Sequence, residues 1–197
     1  MMTPLLQSFQ GIHDELKRAS FIDLATYCSF QDNQQTELES LIASKIALLP
    51  LSNQDRISEE YFGMGPLTPL LALKDITEIV INGKDSIWYE QGGTFHQHFD
   101  SFFSEITFNN FIHRMSKESG AQITLDQPFA DGYWRGFRVH LAGKPIVKNE
   151  VVVNLRYHPT EAWTLEELMN RGWWQPTEID LLTKIVKDRE NFLIVGG

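Results

Sequence analysis

The chain has 197 residues, 42% hydrophobic and 22% charged, with 26 acidic against 17 basic side chains and a formal net charge of -9. That length accommodates one domain with an appendage or two small domains, and the globular balance excludes disorder as the default state. The acidic excess repels a phosphate backbone at long range, so no nucleic-acid partner is expected, and no Lys/Arg run is present to hold an anionic bilayer.

The first sixty residues read as helices. Leu5, Phe9, Ile12 and Leu16 recur at helical spacing. Ser20 is a candidate cap for a short helix carrying Phe21, Leu24 and Ala25. The single cysteine, Cys28, has no partner for an internal disulfide and no activating neighbour, which favours a buried structural thiol over a nucleophile. Leu38, Leu41, Ile42, Lys45, Ile46 and Leu49 form a stripe that ends at Pro50. Asn53 is a candidate cap for a further helix through Ile57 and Tyr61, closed by Gly63. Gly63-Met64-Gly65-Pro66 then punctuates the chain, so residues 1–62 are expected to be a small all-helical unit. A short helical turn follows over Leu67 to Leu73.

The period changes after that turn. Ile76 to Ile81 is rich in β-branched residues and stops at Asn82-Gly83; Ser86 to Glu90 is a second strand, and Gly92-Gly93 turns into a third, Thr94 to Phe99. Strands this close in sequence predict an antiparallel meander. Ser104 is a plausible N-cap for a helix through Phe108, Phe111, Ile112 and Met115 that ends at Gly120. Two longer strands are predicted at Tyr133 to Leu141 and Val151 to Tyr157. Thr164 and Glu167 have capping-box spacing, and the short helix after them ends at Gly172; Pro176 opens another with Ile179, Leu182, Ile185 and Val186. Asn191 to Val195 reads as a buried strand before Gly196-Gly197. The whole reads as an α+β fold, an antiparallel sheet with packed helices behind the helical unit.

These segments resemble a known family. Gly65-Pro66-Leu67-Thr68-Pro69-Leu70-Leu71, Ile76-Thr77-Glu78-Ile79, Ile81-Asn82-Gly83 and Tyr89-Glu90-Gln91-Gly92-Gly93 are similar to the opening of the type II/type IV secretion ATPases, in the tight-adherence (Flp-type) pilus-assembly branch. Gly136-Phe137-Arg138-Val139 corresponds to a Gly-x-Arg-Val element, and Leu155-Arg156-Tyr157 resembles an Ile-Arg-Arg element. Leu165-Glu166-Glu167-Leu168 with Arg171-Gly172 resembles the linker into the motor domain, and Asn191 to Gly197 the strand that feeds the Walker A loop. Three positions depart from the family pattern: Arg135 stands where an Asp is usual, Tyr133 where an Arg is frequent, and Tyr157 replaces the second Arg of Ile-Arg-Arg.

The resemblance implies a PAS-like sheet domain over residues 63–159, with 160–197 as linker and first elements of a P-loop motor domain. It implies that Arg138 and Arg156, with Arg135 as a weaker third, contact nucleotide phosphate, because a guanidinium fork matches the charge of a transferring phosphoryl group. Gly196 and Gly197 would start the P-loop, whose Lys and Ser/Thr are absent from this chain, so this chain alone is expected to be no enzyme while its full-length parent is an ATPase. ATP and Mg²⁺ belong to that parent, with no cofactor held tightly by this part. A hexamer, inner-membrane platform proteins as partners, and a cytoplasmic location peripheral to the inner membrane are likewise implied. The alternative is a stand-alone PAS-like binding or scaffold module without a nucleotide role.

Other side chains carry weaker signals. His96 and His98 alternate on one strand and could share a metal, but no further ligand stands at matching spacing, and a solvated strand face is the simpler reading. Trp173-Trp174 is read as hinge packing rather than an adenine platform, and the Phe99 to Phe111 cluster as core.

Overall fold

The computed structural model describes residues 3–18, 32–73, 75–148, 151–157, 163–193 and 195. The chain divides into two units, Met1–His158 and Pro159–Gly197. The proposed helix at Ser20 and Cys28 lie outside the described residues, as do Gly196 and Gly197.

Among the described residues, three α-helices open the first unit: α1 (Pro4–Arg18), α2 (Asp32–Ile46) and α3 (Leu51–Phe62). Their apolar stripes meet in one core of Phe9, Ile12, Leu16, Leu38, Ile42, Ile46, Ile57 and Tyr61. Pro50, not Asn53, is the N-cap of α3, because its extended φ/ψ (φ -56, ψ 139) suits the cap position. Asn53 therefore sits within the first turn of α3, where its side-chain amide donates to Ser8 Oγ at 3.1 Å and ties α3 to α1.

A 3₁₀ turn, Gly65–Leu67, and the short α4 (Thr68–Leu71) lead into the sheet. The sheet has six strands: β1 (Ile76–Asn82), β2 (Ile87–Gln91), β3 (Thr94–Gln97), β4 (Phe129–Trp134), β5 (Phe137–Ala142) and β6 (Val152–Tyr157). Their order is β3-β2-β1-β6-β5-β4 and every neighbouring pair is antiparallel. The fold is thus α+β, with the meander β1–β3 and the hairpin β4–β5 brought together by β6.

One strand of the sequence reading is two. The predicted strand from Tyr133 to Leu141 is broken at Arg135-Gly136, whose φ values of 49° and 87° make a tight hairpin turn. Two consecutive positive φ angles are the signature of a two-residue hairpin turn matched to strand twist, normally written Asn-Gly or Asp-Gly. An arginine in the first position hides that signal. The apolar run Asn191 to Val195 differs too: its described residues form no strand, and Leu193 and Val195 are 85% and 82% exposed. A strand needs a ladder partner, and none pairs with these residues among those described.

Helix α5 (Glu105–Ser119) covers one face of the sheet. Ser104 caps it as its residue type predicts, with Oγ accepting from the Thr107 amide at 3.1 Å, and Gly120 ends it in the left-handed conformation. Phe108, Phe111, Ile112 and Met115 of α5 pack on Ile79, Ile81, Ile87, Val139, Leu141, Val153 and Leu155. A bulge between Ile76 and Glu78 resets the alternation in β1, so that Ile76, Ile79 and Ile81 are buried while Glu78 projects outward.

In the second unit, α6 (Leu165–Asn170) begins with the predicted capping box. The Glu167 amide donates to Thr164 Oγ1 at 3.2 Å, and the Thr164 amide donates back to the Glu167 carboxylate at 2.8 Å. That returning backbone bond, then the Thr164 hydroxyl, holds the Glu167 carboxyl below its ordinary range. Helix α7 (Pro176–Lys187) starts at Pro176, as predicted.

Candidate functional site

Period-two alternation gives each strand of the sheet one face toward α5 and one face away from it. The outward face carries both Arg138 and Arg156. Arg138 on β5 lies directly opposite Arg156 on β6, and Arg156 lies directly opposite Glu78 on β1. Tyr133 on β4 faces Arg138 from the other side, and Glu90 on β2 faces Glu78. The two arginines that the sequence nominates are thus brought side by side on exposed strand positions.

Two guanidinium groups directly opposite on neighbouring strands, with Cβ atoms about 5 Å apart, repel each other and cost the sheet some tenths of a kcal/mol. Two carboxylates offset that repulsion in part, Asp131 beside Arg138 and Glu78 opposite Arg156. Arg138 Nη2 is 3.8 Å from Asp131 Oδ1, a long contact between side chains that are both more than half exposed. Arg156 forms no ion pair among the described residues. The facing Glu78 accepts instead from Asn154 Nδ2 at 2.6 Å. Asp131 Oδ1 also meets His140 Nδ1 at 3.2 Å. Such a pair of forks, open to solvent and weakly neutralised, fits a ligand with several anionic oxygens, each guanidinium offering parallel N–H donors.

Arg135 does not join them. It sits in the β4–β5 turn and leans to the α5 side, its Nε 3.5 Å from Glu118 Oε2 and its guanidinium carbon 5.1 Å from the Trp134 ring centre. Glu118 also accepts from Trp134 Nε1 at 2.6 Å. Arg135 thus lines a small cleft with Phe62, Met64, Arg114 and Met115, away from the outward sheet face.

The two histidines part company. His96 is exposed and tilts against Tyr89 with ring centres 5.4 Å apart. His98 is buried rather than solvated, its Nε2 bonded to Pro66 O at 2.9 Å, and burial holds its imidazole below the ordinary histidine range. Among the described residues no group of His, Cys, Asp and Glu could hold a metal. Phe102, Phe108 and Phe111 are core as expected, whereas Phe99 is 94% exposed and is not. Trp173 is exposed and tilts against Trp163, over which Arg171 lies 3.7 Å from the ring centre. No helix among the described residues is long and apolar enough to cross a membrane.

Residue spacing does not mark Tyr133 as a neighbour of the arginines, nor Glu78, Glu90, Asp131 and His140 as members of the same face. The only sequence signal for them is alternation within each strand, and alternation leaves the partner strand unspecified.

No protein-family model matches the sequence. Two proteins of Mycobacterium tuberculosis named as conjugal transfer proteins, from strains CDC 1551 / Oshkosh and ATCC 25618 / H37Rv, are each 26% identical to this chain over 154 residues. The match covers 75% of this chain and 44% of each relative, so the chain spans less than half the length of the proteins it resembles. Among solved structures, the VirB11 ATPase of the Brucella suis type IV secretion system, crystallised with sulphate, aligns with a TM-score of 0.45 and 18% identity, over 63% of this chain and 42% of that one.

Proposed function

We propose that the chain is the N-terminal part of an ATP-driven secretion motor of the type II/type IV superfamily, in its tight-adherence pilus-assembly branch, and that Arg138 and Arg156 close over the terminal phosphate of bound ATP. The observation that carries this reading is the register, which sets Arg138 directly opposite Arg156 on an exposed face. Like charges side by side repel; a phosphate shared between them turns that repulsion into two charge-assisted contacts. The similarity to the mycobacterial conjugal transfer proteins supports the broader part of this reading, a protein related to transfer and secretion systems.

In this reading ATP and Mg²⁺ are held by a P-loop that opens at Gly196 and Gly197, and phosphoryl transfer to water is the chemistry they supply. The arginines of this chain bind and orient the terminal phosphate and neutralise charge that spreads over its oxygens. Tyr133, beside Arg138, narrows the approach to them. The chain alone hydrolyses no ATP, and the working form is a cytoplasmic hexameric ring seated on inner-membrane platform proteins.

The test uses the protein that carries the P-loop. Reading the gene past Gly197 is expected to give Gly-Lys-Ser/Thr, and a stop codon there would leave only a binding module. In the longer protein, Arg138→Ala and Arg156→Ala should each lower kcat by at least about tenfold, as removal of a transition-state arginine does. Unchanged turnover in both variants would sink the assignment.

A further inference from the structure

The outward face of the sheet has an internal symmetry of charge. One row of directly opposed residues crosses all six strands: Phe95, Glu90, Glu78, Arg156, Arg138 and Tyr133. In order these are aromatic, acid, acid, base, base, aromatic. Reading the row backward exchanges every acid with a base and one aromatic ring with the other. We infer that this face is a self-complementary docking surface for a second copy of this chain.

The geometry follows from the row. A two-fold axis parallel to the strands, midway between β1 and β6, turns one sheet over onto the other. Glu78 then faces Arg156 of the second copy, Glu90 faces Arg138, and Phe95 faces Tyr133. In the next row on the same face the operation sets Trp88 on His140, Val80 on Asn154 and Gln97 on Asp131 of the second copy, contacts without charge pairing, so the complementarity rests on the first row. Two sheets pack face to face about 10 Å apart and within about 30° of alignment, a separation that long Glu and Arg side chains bridge.

The charges are available for such pairing. Glu78 and Glu90 accept from neutral donors, Asn154 Nδ2 at 2.6 Å and Thr77 Oγ1 at 2.8 Å. Arg138 reaches Asp131 only at 3.8 Å. The rings at the two ends of the row are about half exposed, Phe95 at 49% and Tyr133 at 52%.

Size sets the strength. Six strands spaced about 4.8 Å apart and about 20 Å long present about 500 Å² per copy, less than the roughly 800 Å² per partner of a stable complex. The dimer is therefore weak, forms at high protein concentration and dissolves as salt screens its ion pairs. It uses the same arginines as the phosphate contact, so the two states exclude each other at those side chains. The inference stands without the nucleotide reading, and its test contains no nucleotide.

Sedimentation velocity of the whole chain at low ionic strength and concentrations on the order of 100 µM should give a mass rising toward twice 22.7 kDa, and added salt should return it to monomer. Glu78→Arg with Glu90→Arg, and separately Arg138→Glu with Arg156→Glu, should each weaken self-association by at least about tenfold. An equimolar mixture of the two variants should associate again, because each four-acid row then meets a four-base row. Should circular dichroism show either double variant unfolded, the single reversals Glu90→Arg and Arg138→Glu serve in the same mixing scheme. A wild-type chain that stays monomeric, variants that dimerise like wild type, or a mixture that stays monomeric would each overturn the proposal.

Discussion

Glu60 is a buried carboxyl held by three side-chain and backbone donors. It leaves α3 toward the N-terminus of α5 and its side chain is fully buried. Its Oε1 accepts from the Phe103 amide at 2.7 Å and from the Thr107 hydroxyl, and its Oε2 accepts from Arg56 Nη1 at 2.7 Å. Arg56 in turn binds Asp100 and the Ser101 carbonyl and lies 4.2 Å from the Phe103 ring centre. One carboxylate thus fastens the helical core to the N-terminus of α5. Burial raises the Glu60 carboxyl above its ordinary value of 4.5, outweighing the attraction of Arg56 and the three hydrogen bonds. The folded chain consequently holds this proton at higher pH than the unfolded chain. The stability contributed by protonation is complete below about pH 4.5 and is lost as pH rises through the raised folded value. Glu60→Gln removes that titration and places an amide donor against the Arg56 donor, at a cost of about 2 kcal/mol at pH 7. Urea melts across pH should show the wild type gaining on the variant as pH falls from 7 toward 4.5. Parallel pH profiles would contradict the assignment.

At the scale of elements, the sheet is held against α5 by a backbone approach that only glycine permits. A Cβ on Gly132 of β4 would lie 2.5 Å from the Ser119 carbonyl oxygen and 2.9 Å from Ala121 Cβ. Neither neighbour can swing away as the tip of a long side chain could, so Gly132→Ala must push β4 off the end of α5. The expected loss is about 1–3 kcal/mol in a urea titration, with the helix signal retained. The elements themselves were largely legible. The meander, the Ser104 and Thr164 caps and the Pro176 helix start all rest on contacts within a few residues, where sequence and structure share one cause. The β4–β5 hairpin was hidden because Arg135 fills a left-handed position that Asn or Asp normally announces. The site was half legible for the same reason. Composition and spacing placed Arg138 and Arg156 on strands, but the pairing of β5 with β6, and of β6 with a β1 some 70 residues earlier, is fixed by the buried Ile79, Val139 and Leu155 on the other face.

The molecule as a whole concentrates its stability in its first unit. Among the described residues every buried hydrophobic side chain lies between Phe9 and Leu155, in two cores that meet through Glu60, Phe103 and Ile106. The described residues of the second unit contribute none: α6 and α7 have no buried residue, and Leu181 and Val186 on α7 are 59% and 60% exposed. Helices of six and twelve residues have too few turns to repay nucleation without packing, since isolated helices shorter than about 12–15 residues are marginal in water. The apolar stripe of Ile179, Leu182 and Ile185 consequently stabilises little within this chain. A chain ending at His158 should therefore fold by itself, with a calorimetric Tm within about 3 °C of the full chain, equivalent to less than about 1 kcal/mol at this size. Residues 159–197 as a separate peptide should show only weak helical circular dichroism. A fall in Tm of more than about 10 °C on removing them would mean that this segment carries stability that its exposed side chains do not account for.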